Sequence, residues 1–243
     1  MAPAFFKEQL IRVGFTPTED QLVQFRRYYE LLVAANQHVN LTAITAMDEV
    51  YEKHFFDSLI PALAVPQFRQ AAVSLCDVGA GAGFPSLPLK IMFPQLRITI
   101  VDSLNKRIRF LTDLCQELEL TNVTLVHARA EEFGGKKSIH REKFDYVTAR
   151  AVARLSVLSE LCLPLVRVGG QLVALKAQKA AAELEAAQRA ITLLGGRVAT
   201  TKRFFLPRSG DERNVIVIDK KHATPRQYPR KAGTPAKKPL TNK

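Results

Sequence analysis

Apolar positions in the first 65 residues recur every three or four residues, which is the spacing of amphipathic helices. In the clearest stretch, "TPTEDQLVQFRRYYELLVAANQHVN", Thr16 is the predicted N-cap, and Glu19 completes a capping box with it. The predicted apolar face comprises Leu22, Phe25, Tyr29, Leu32 and Val33. A second helix is predicted over "DEVYEKHFFDSLIPALA", in which His54 and Asp57 pair across a turn. Residues 1–65 are therefore interpreted as an N-terminal helical extension.

From residue 66 the pattern changes to short β-rich runs that alternate with helical stretches. The predicted strands are "AVSLCDV", "RITIVDS", "NVTLVHA", "FDYVTAR" and "GGQLVALK". Helical periodicity is present in "LNKRIRFLTDLCQELEL", "RLSVLSELCLPLV" and "AAAELEAAQRAITLLGG". This alternation predicts an α/β domain over residues 66–220 with a doubly wound, mostly parallel sheet. The last pair of strands, "GRVATTKRFFLP" and "ERNVIVIDKK", has no helix between its members, so it predicts an antiparallel edge hairpin.

The C-terminal segment, residues 221–243, is basic and rich in proline. From Lys220 to Lys243 there are eight Lys and Arg residues, four prolines and no acidic residue. Such a composition favours an extended tail that contributes no core element and orders on a partner. The alternative is a solubilising tail without a specific role.

Overall composition narrows the class of protein. A chain of 243 residues with 47% hydrophobic side chains can bury one substantial core, and its net charge of +12 favours polyanionic partners such as nucleic acid. The three cysteines are far apart and lack metal-ligand spacing, which predicts a reduced, cytosolic protein without a structural metal. No secretion signal or membrane span is predicted, and no feature requires more than a monomer.

The stretch "DVGAGAGFPSLPLK" places glycines directly after the first strand of the domain. Gly79, Gly81 and Gly83 form G-x-G-x-G, whereas a dinucleotide fingerprint needs its third glycine where Phe84 stands. A pyrophosphate cradle is therefore disfavoured, and S-adenosylmethionine is the other common ligand at this turn. The alternative is a turn built only for close packing between strand and helix.

Two further positions fit a nucleoside cofactor. Asp102 ends the strand "RITIVDS", where a carboxylate can accept hydrogen bonds from both ribose hydroxyls. After the third strand, Ala130 and Glu131 lie where an adenine ring is expected. Glu131 and Glu132 also suit the positive end of a helix dipole, so this second interpretation stays open.

Several motifs, in order along nearly the whole chain, closely resemble the RsmG family, also called glucose-inhibited division protein B. They are "NLTAI", "KHFFDSL", "DVGAGAGFPSLPLKI", "DSLNKRIRFL", "RAEEF", "ARAVARL", "LVALK", "ERNVIVIDK" and "TPRQYPRKAGTPAKKPL". The resemblance implies a Rossmann-like, class I S-adenosylmethionine-dependent methyltransferase. It further implies methylation of N7 of a guanine in the 530 loop of 16S ribosomal RNA, with the RNA or the 30S subunit as partner.

The resemblance also assigns cofactor contacts, which fall on Gly79, Phe84, Ala130, Glu131 and Arg150. Phe84 is expected to cover the apolar portion of the cofactor. Arg150 is expected to place a positive charge beside the site of methyl transfer or, alternatively, to hold an RNA phosphate. The family often has glycine where Ser86 and Ala177 stand, which leaves the local loop geometry open.

Basic residues supply the candidates for RNA contact. Lys176, at the end of "GGQLVALK", is the candidate for the RNA backbone or the target base, with a merely solvated lysine as the alternative. Further candidates for phosphate contact lie in the edge hairpin and the tail: Arg203, Arg208, Arg213, Arg226, Tyr228, Arg230 and Lys231. Among these, Tyr228 offers a face on which a base can stack.

Transfer of a methyl group to N7 needs no general base, because N7 carries a lone pair in neutral guanine. No catalytic residue is therefore assigned. Two rival functions stay open. A small-molecule methyltransferase would share the cofactor turn but give no reason for the basic tail, whereas a noncatalytic RNA-binding or division-associated protein would not need the cofactor residues.

Overall fold

The computed structural model describes residues 2–241; Lys243, counted above in the tail, lies outside the described residues. The strands are β1 (Ser74–Val78), β2 (Arg97–Asp102), β3 (Val123–His127), β4 (Phe144–Arg150), β5 (Val166–Lys176), β6 (Gly196–Phe205) and β7 (Glu212–Lys220). They form one sheet in the order β3-β2-β1-β4-β5-β7-β6. Neighbours among β1 to β5 are parallel, and β7 runs antiparallel to both β5 and β6. The predicted doubly wound sheet with an antiparallel edge hairpin is confirmed.

Helices precede the sheet and connect its strands. Before β1 lie α1 (Pro3–Arg12), α2 (Glu19–Val39), α3 (Met47–Glu49), a π-helix (Val50–Phe56), α4 (Asp57–Leu59), α5 (Pro61–Ala64) and α6 (Gln67–Gln70). The later helices are α7 (Ser86–Met92), α8 (Asn105–Glu117), α9 (Ala130–Phe133), α10 (Leu155–Cys162), α11 (Ala180–Leu193) and α12 (Thr234–Lys237). No helix within residues 2–241 combines the length and the apolar character needed to cross a membrane.

Helix α2 begins two residues later than the sequence pattern predicts. Thr18, not Thr16, is the N-cap, and it forms a reciprocal capping box with Gln21. The Gln21 side chain also donates to the Ile91 carbonyl near the end of α7, at 2.7 Å. This tertiary contact favours the capping box that begins at Thr18 over the one predicted at Thr16. The local sequence alone does not distinguish the two.

Two hydrophobic clusters form the core. The first joins the N-terminal helices to β1, β2, α7 and α8, and its largest buried rings on α2 are Phe25 and Tyr28. Tyr29, predicted for the apolar face, is only partly buried. The second cluster joins the central strands to α10 and α11. The N-terminal helices therefore contribute a covering layer of the sheet, and they reach its carboxyl edge.

The C-terminal tail packs against the body of the protein. Tyr228 is 8% exposed and belongs to the second cluster. The Arg141 guanidinium donates to the carbonyls of Tyr228 and Thr224, at 2.8 Å each. Arg230 donates to the buried carboxylate of Glu160 at 2.6 Å. The prediction of an extended tail without core contacts is therefore wrong for this part of the chain, because its few apolar and charged groups have buried partners.

Candidate functional site

A cavity of about 970 Å³ opens at the carboxyl ends of the parallel strands. This is the edge where open α/β sheets bind ligands. The predicted cofactor and RNA residues on its lining are Gly79, Gly81, Phe84, Asp102, Ala130, Glu131, Arg150, Lys176 and Arg213. The first eight come from the ends of five parallel strands, which meet at one edge of the sheet, and Arg213 comes from the start of the antiparallel strand β7. Residues of the N-terminal helices close one side of the cavity.

The glycines of the turn after β1 have different roles. Gly81 has φ +62°, and a Cβ atom on it would meet nothing within 4 Å, so its backbone is open to a ligand. A Cβ atom on Gly83 would lie 2.7 Å from the hydroxyl of Tyr28. Close packing therefore explains Gly83, whereas the ligand interpretation fits Gly81.

The Phe84 ring lies between two other rings rather than free in the cavity. It stacks on Tyr28 with centroids 5.4 Å apart and on His54 with centroids 4.6 Å apart. The Arg150 guanidinium carbon lies 4.9 Å from the Phe84 centroid. The Tyr28 hydroxyl donates to the Ala82 carbonyl at 2.5 Å. Sequence reasoning missed Tyr28, which anchors the glycine turn on α2.

Beneath the turn, Asp77 is fully buried at the end of β1. Burial raises the pKa of its carboxyl to about 7. The Ser86 backbone N–H donates to this carboxyl at 3.2 Å. Because the bond comes from the backbone, the serine that stands where the family often has glycine still supports the turn.

The Asp102 carboxylate is fixed at the end of β2 by three donors. Oδ1 accepts from Leu104 N at 2.9 Å, and Oδ2 accepts from Gly81 N and from the Arg107 guanidinium at 3.3 Å each. Its side chain is 2% exposed. Asp102 thus links the glycine turn to the start of α8, and Arg107 is a lining residue that the sequence did not single out.

Ala130 and Glu131 are the first two residues of the short helix α9. Glu131 both lines the cavity and occupies a helix start, so the two interpretations of this position are compatible. Its Oε1 accepts from the Gly233 backbone N–H at 2.9 Å. The C-terminal tail therefore reaches the rim of the cavity.

Arg150 takes part in a charged network with the N-terminal helices. Its Nη1 donates to Asp57 Oδ2 at 2.9 Å and to the Lys53 carbonyl at 3.0 Å. Asp57 Oδ1 also accepts from Arg213 Nε at 3.0 Å. One buried carboxylate therefore holds two guanidinium groups at the cavity wall.

The predicted pair between His54 and Asp57 is wrong. His54 lies in a π-helix, and its Nε2 is 2.8 Å from the Thr42 hydroxyl while its Nδ1 faces Arg150 at 3.3 Å. Burial and the charge of Arg150 lower the pKa of His54 to about 3. A neutral imidazole competes poorly with two arginines for the Asp57 carboxylate.

Lys176 is 9% exposed, so the alternative of a merely solvated lysine is wrong. Its ammonium donates to the Ala153 carbonyl at 2.5 Å and forms an ion pair with Glu183 Oε2 at 2.7 Å. Glu183 Oε2 also accepts from Leu155 N at 2.9 Å. Sequence reasoning missed Glu183, which lies in the first turn of α11 and lines the cavity.

The remaining RNA candidates lie apart from the cavity or within ion pairs. Tyr228 is buried and Arg230 is paired with Glu160, so a base cannot stack on Tyr228 in this arrangement. Arg208 pairs with Asp48. Arg208 is nevertheless exposed, as are Arg203, Arg226 and Lys231. The described part of the chain has no group of three or more His, Cys, Asp and Glu side chains that could hold a metal ion.

Comparison with known proteins gives one consistent family. The model described as "GidB: rRNA small subunit methyltransferase G" matches residues 21–215. The "Ribosomal RNA small subunit methyltransferase G" of Ligilactobacillus salivarius is 60% identical over 240 residues, which cover 99% of this chain and 100% of that protein. The protein with the same name from Levilactobacillus brevis is 61% identical over 240 residues, with 99% of each chain covered.

Solved structures share the fold at low identity. The crystal structure of a putative sarcosine dimethylglycine methyltransferase from Galdieria sulphuraria has a TM-score of 0.52 and 12% identity, covering 68% of this chain and 85% of that chain. This likeness agrees with a class I methyltransferase fold.

Proposed function

Because the chain belongs to the GidB family of rRNA small subunit methyltransferase G, we propose that it methylates N7 of a guanine in the 530 loop of 16S ribosomal RNA with S-adenosylmethionine as methyl donor. Methylation of small-subunit ribosomal RNA is the activity of the family. The observation that carries the cofactor is the convergence of all seven predicted contacts on one cavity. The choice of N7 and of the 530 loop rests on the resemblance of the sequence motifs.

The cavity fits a nucleoside cofactor in size and in chemistry. Its volume of about 970 Å³ is near the upper end of the range of roughly 300–1,000 Å³ for small-molecule sites, which leaves room for a target base as well. In this proposal, the open backbone at Gly81, with Gly79 beside it, holds the methionine portion, and Asp102 accepts from the ribose hydroxyls. Ala130 and Glu131 then meet the adenine ring.

The residues of the chain contribute positioning and charge rather than proton transfer. When bound, the cofactor would supply an electrophilic methyl group to the N7 lone pair, and the S–C bond of the donor would break as the N–C bond forms. The protein has to align the base with that group and exclude water. Arg150 is already paired with Asp57, so its charge is compensated where a cationic donor is expected. Phe84, held between Tyr28 and His54, gives this wall its rigid apolar surface.

The RNA is expected on the half of the cavity formed by β4, β5 and β7. Lys176 and Arg213 line that half. Arg226 and Lys231 are exposed on the tail and can follow phosphates outside the cavity. The net charge of +12 supports a polyanionic substrate, either 16S RNA or the 30S subunit. In this proposal the protein acts as a monomer in the cytoplasm.

Two measurements test the proposal. N7-methylguanine is mapped in 16S RNA from cells with and without this protein, and one 530-loop guanine is expected to lose its methyl group in the second sample. An unchanged map contradicts the proposed substrate. Calorimetry with S-adenosylmethionine separates the rivals, since a small-molecule methyltransferase binds the cofactor but leaves the map unchanged, and a noncatalytic RNA-binding protein does not bind it.

A further inference from the structure

We infer that Glu183, with Lys176 beside it, reads the base edge of the target guanine. In this assignment the Glu183 carboxylate accepts from the N1–H and the 2-amino group, and the Lys176 ammonium donates to O6. The assignment rests on the proposed function, because it presumes a guanine as target. Glu183 then selects the target base, whereas the residues predicted from the sequence hold the cofactor.

The sheet order places this pair opposite the cofactor residues. The predicted cofactor contact Asp102 ends β2, and Gly81 and Glu131 follow β1 and β3; these three strands occupy one half of the sheet. Lys176 ends β5, and Glu183 lies in the helix that follows. Both halves line the same cavity. A base that enters between them therefore has the methyl donor on one side and this pair on the other.

The pair retains hydrogen-bonding capacity. The Lys176 ammonium has three N–H donors, and its contacts with Ala153 and Glu183 use two of them. The ion pair from Lys176 and the hydrogen bond from Leu155 N both involve Oε2 of Glu183. Within residues 2–241, no hydrogen bond to Oε1 of Glu183 is found, and the side chain is 28% exposed. One donor and one acceptor oxygen are thus left next to each other on the cavity lining.

This combination matches guanine and opposes adenine. Guanine presents O6 as an acceptor beside N1–H and the 2-amino group as donors, so it pairs with an ammonium next to a carboxylate. Adenine presents an amino donor at position 6 and an unprotonated N1, which would meet the ammonium and the carboxylate unfavourably. N7 lies on the far side of the purine from the 2-amino group. A base held by Glu183 therefore turns N7 toward the cofactor half.

A second cavity supports this direction of entry. It has a volume of about 340 Å³ and shares Ala177, Glu183 and Arg213 with the main cavity. Lys179 lies on its lining as well. Glu183 thus stands where the two cavities meet, and Lys179, which is exposed, can contact a phosphate that flanks the target nucleotide.

Glu183 also stabilises the start of α10, and the test has to distinguish this structural role from recognition of the target base. Its Oε2 accepts from Leu155 N at the start of α10. That contact needs an acceptor oxygen but no negative charge, so the amide of Glu183→Gln can keep it. The same substitution puts an amino group where the guanine donors need an acceptor.

The test compares 30S subunits reconstituted with 16S RNA that carries either guanosine or inosine at the target position. Inosine keeps N7, O6 and N1–H but lacks the 2-amino group. The wild-type protein is expected to show a kcat/KM for N7 methylation that is about 10- to 100-fold lower on inosine. In Glu183→Gln this difference is expected to shrink to about threefold or less, mainly through loss of activity on guanosine. Glu185→Gln, an exposed position on the same helix, serves as the control and is expected to keep the full difference.

Equal rates of the wild-type protein on the two RNAs overturn the assignment, as does a full difference retained in Glu183→Gln. If that variant does not fold, Glu183→Asp keeps the carboxylate with a shorter reach, and a reduced difference supports the assignment whereas an unchanged one overturns it. Failure of the wild-type protein to methylate N7 of the guanosine RNA is a separate result. It refutes the proposed function and this assignment with it.

Discussion

The Arg150 guanidinium donates to the Asp57 carboxylate at 2.9 Å, and this ion pair joins the end of β4 to the N-terminal helices. The two side chains are 15% and 7% exposed. Arg213, at the start of β7, donates to the other oxygen of Asp57. Three parts of the cavity wall therefore depend on a single buried carboxylate.

Asp57→Asn tests this dependence. The substitution keeps the shape of the side chain but leaves two guanidinium groups without a counter-charge. Breaking one partner of a buried pair costs about 3–5 kcal/mol, and because both arginines retain some contact with water, a loss near 3 kcal/mol is expected. Denaturant unfolding measures it. Glu117→Gln, in an exposed pair with Arg27, is expected to change the free energy of unfolding by less than about 1 kcal/mol, and equal losses in both variants would contradict this account.

His54 makes the free energy of unfolding depend on pH. Its pKa is about 3 in the folded protein, lowered by burial and by Arg150, against an ordinary value of 6.5. Between those values the unfolded chain binds the extra proton, so stability falls as pH decreases from about 6.5, by up to about 1.4 kcal/mol per pH unit. His54→Gln is expected to lose this part of the slope. Urea unfolding at three pH values between about 4.5 and 6.5 measures the slope.

The exposed residue His222 provides the matched control for that experiment. His222→Gln is expected to leave the slope of the wild-type protein unchanged. A wild-type slope retained in His54→Gln would show that the imidazole of His54 titrates alike in the folded and unfolded chains.

Much of the cofactor half of the site was predictable from the sequence. Strands that alternate with helices give a parallel sheet, and the carboxyl ends of parallel strands meet at one edge. Gly81 and Asp102 could therefore be placed near each other although they are 21 residues apart. Local pattern was sufficient here because each residue directly follows a recognisable strand.

Contacts between distant elements were not predictable in the same way. The π-helix turns His54 and Asp57 toward different partners, and no local pattern signals it. The docked tail did leave a signal, since Glu160 is the one carboxylate in the largely apolar stretch "RLSVLSELCLPLV". A carboxylate that a helix buries needs a cationic partner, and Arg230 is that partner.

Arg230→Ala tests whether the tail depends on this partner. The Glu160 side chain is 1% exposed. After the substitution it loses the guanidinium donors of Arg230 and keeps the backbone N–H of residue 230 as a donor. A loss of about 3 kcal/mol in the free energy of unfolding is expected, together with faster tryptic cleavage at Arg226 and Lys231. Lys231→Ala, at the exposed neighbouring position, is expected to change stability by no more than about 0.5 kcal/mol. Cleavage of the tail at the wild-type rate in Arg230→Ala would contradict the structural role.

Asp102→Asn tests the cofactor half of the cavity. An amide offers one acceptor oxygen where the carboxylate offers two, and it lacks the charge that strengthens bonds to the ribose hydroxyls. Calorimetry with S-adenosylmethionine is expected to show an affinity about 10- to 100-fold lower. Because Asp102 also accepts from Leu104 N, a thermal melt of each sample checks that the variant is folded before titration. Asp113→Asn, an exposed carboxylate on α8, is the matched control and is expected to bind like the wild-type protein. A folded Asp102→Asn with unchanged affinity would mean that the ribose lies elsewhere in the cavity.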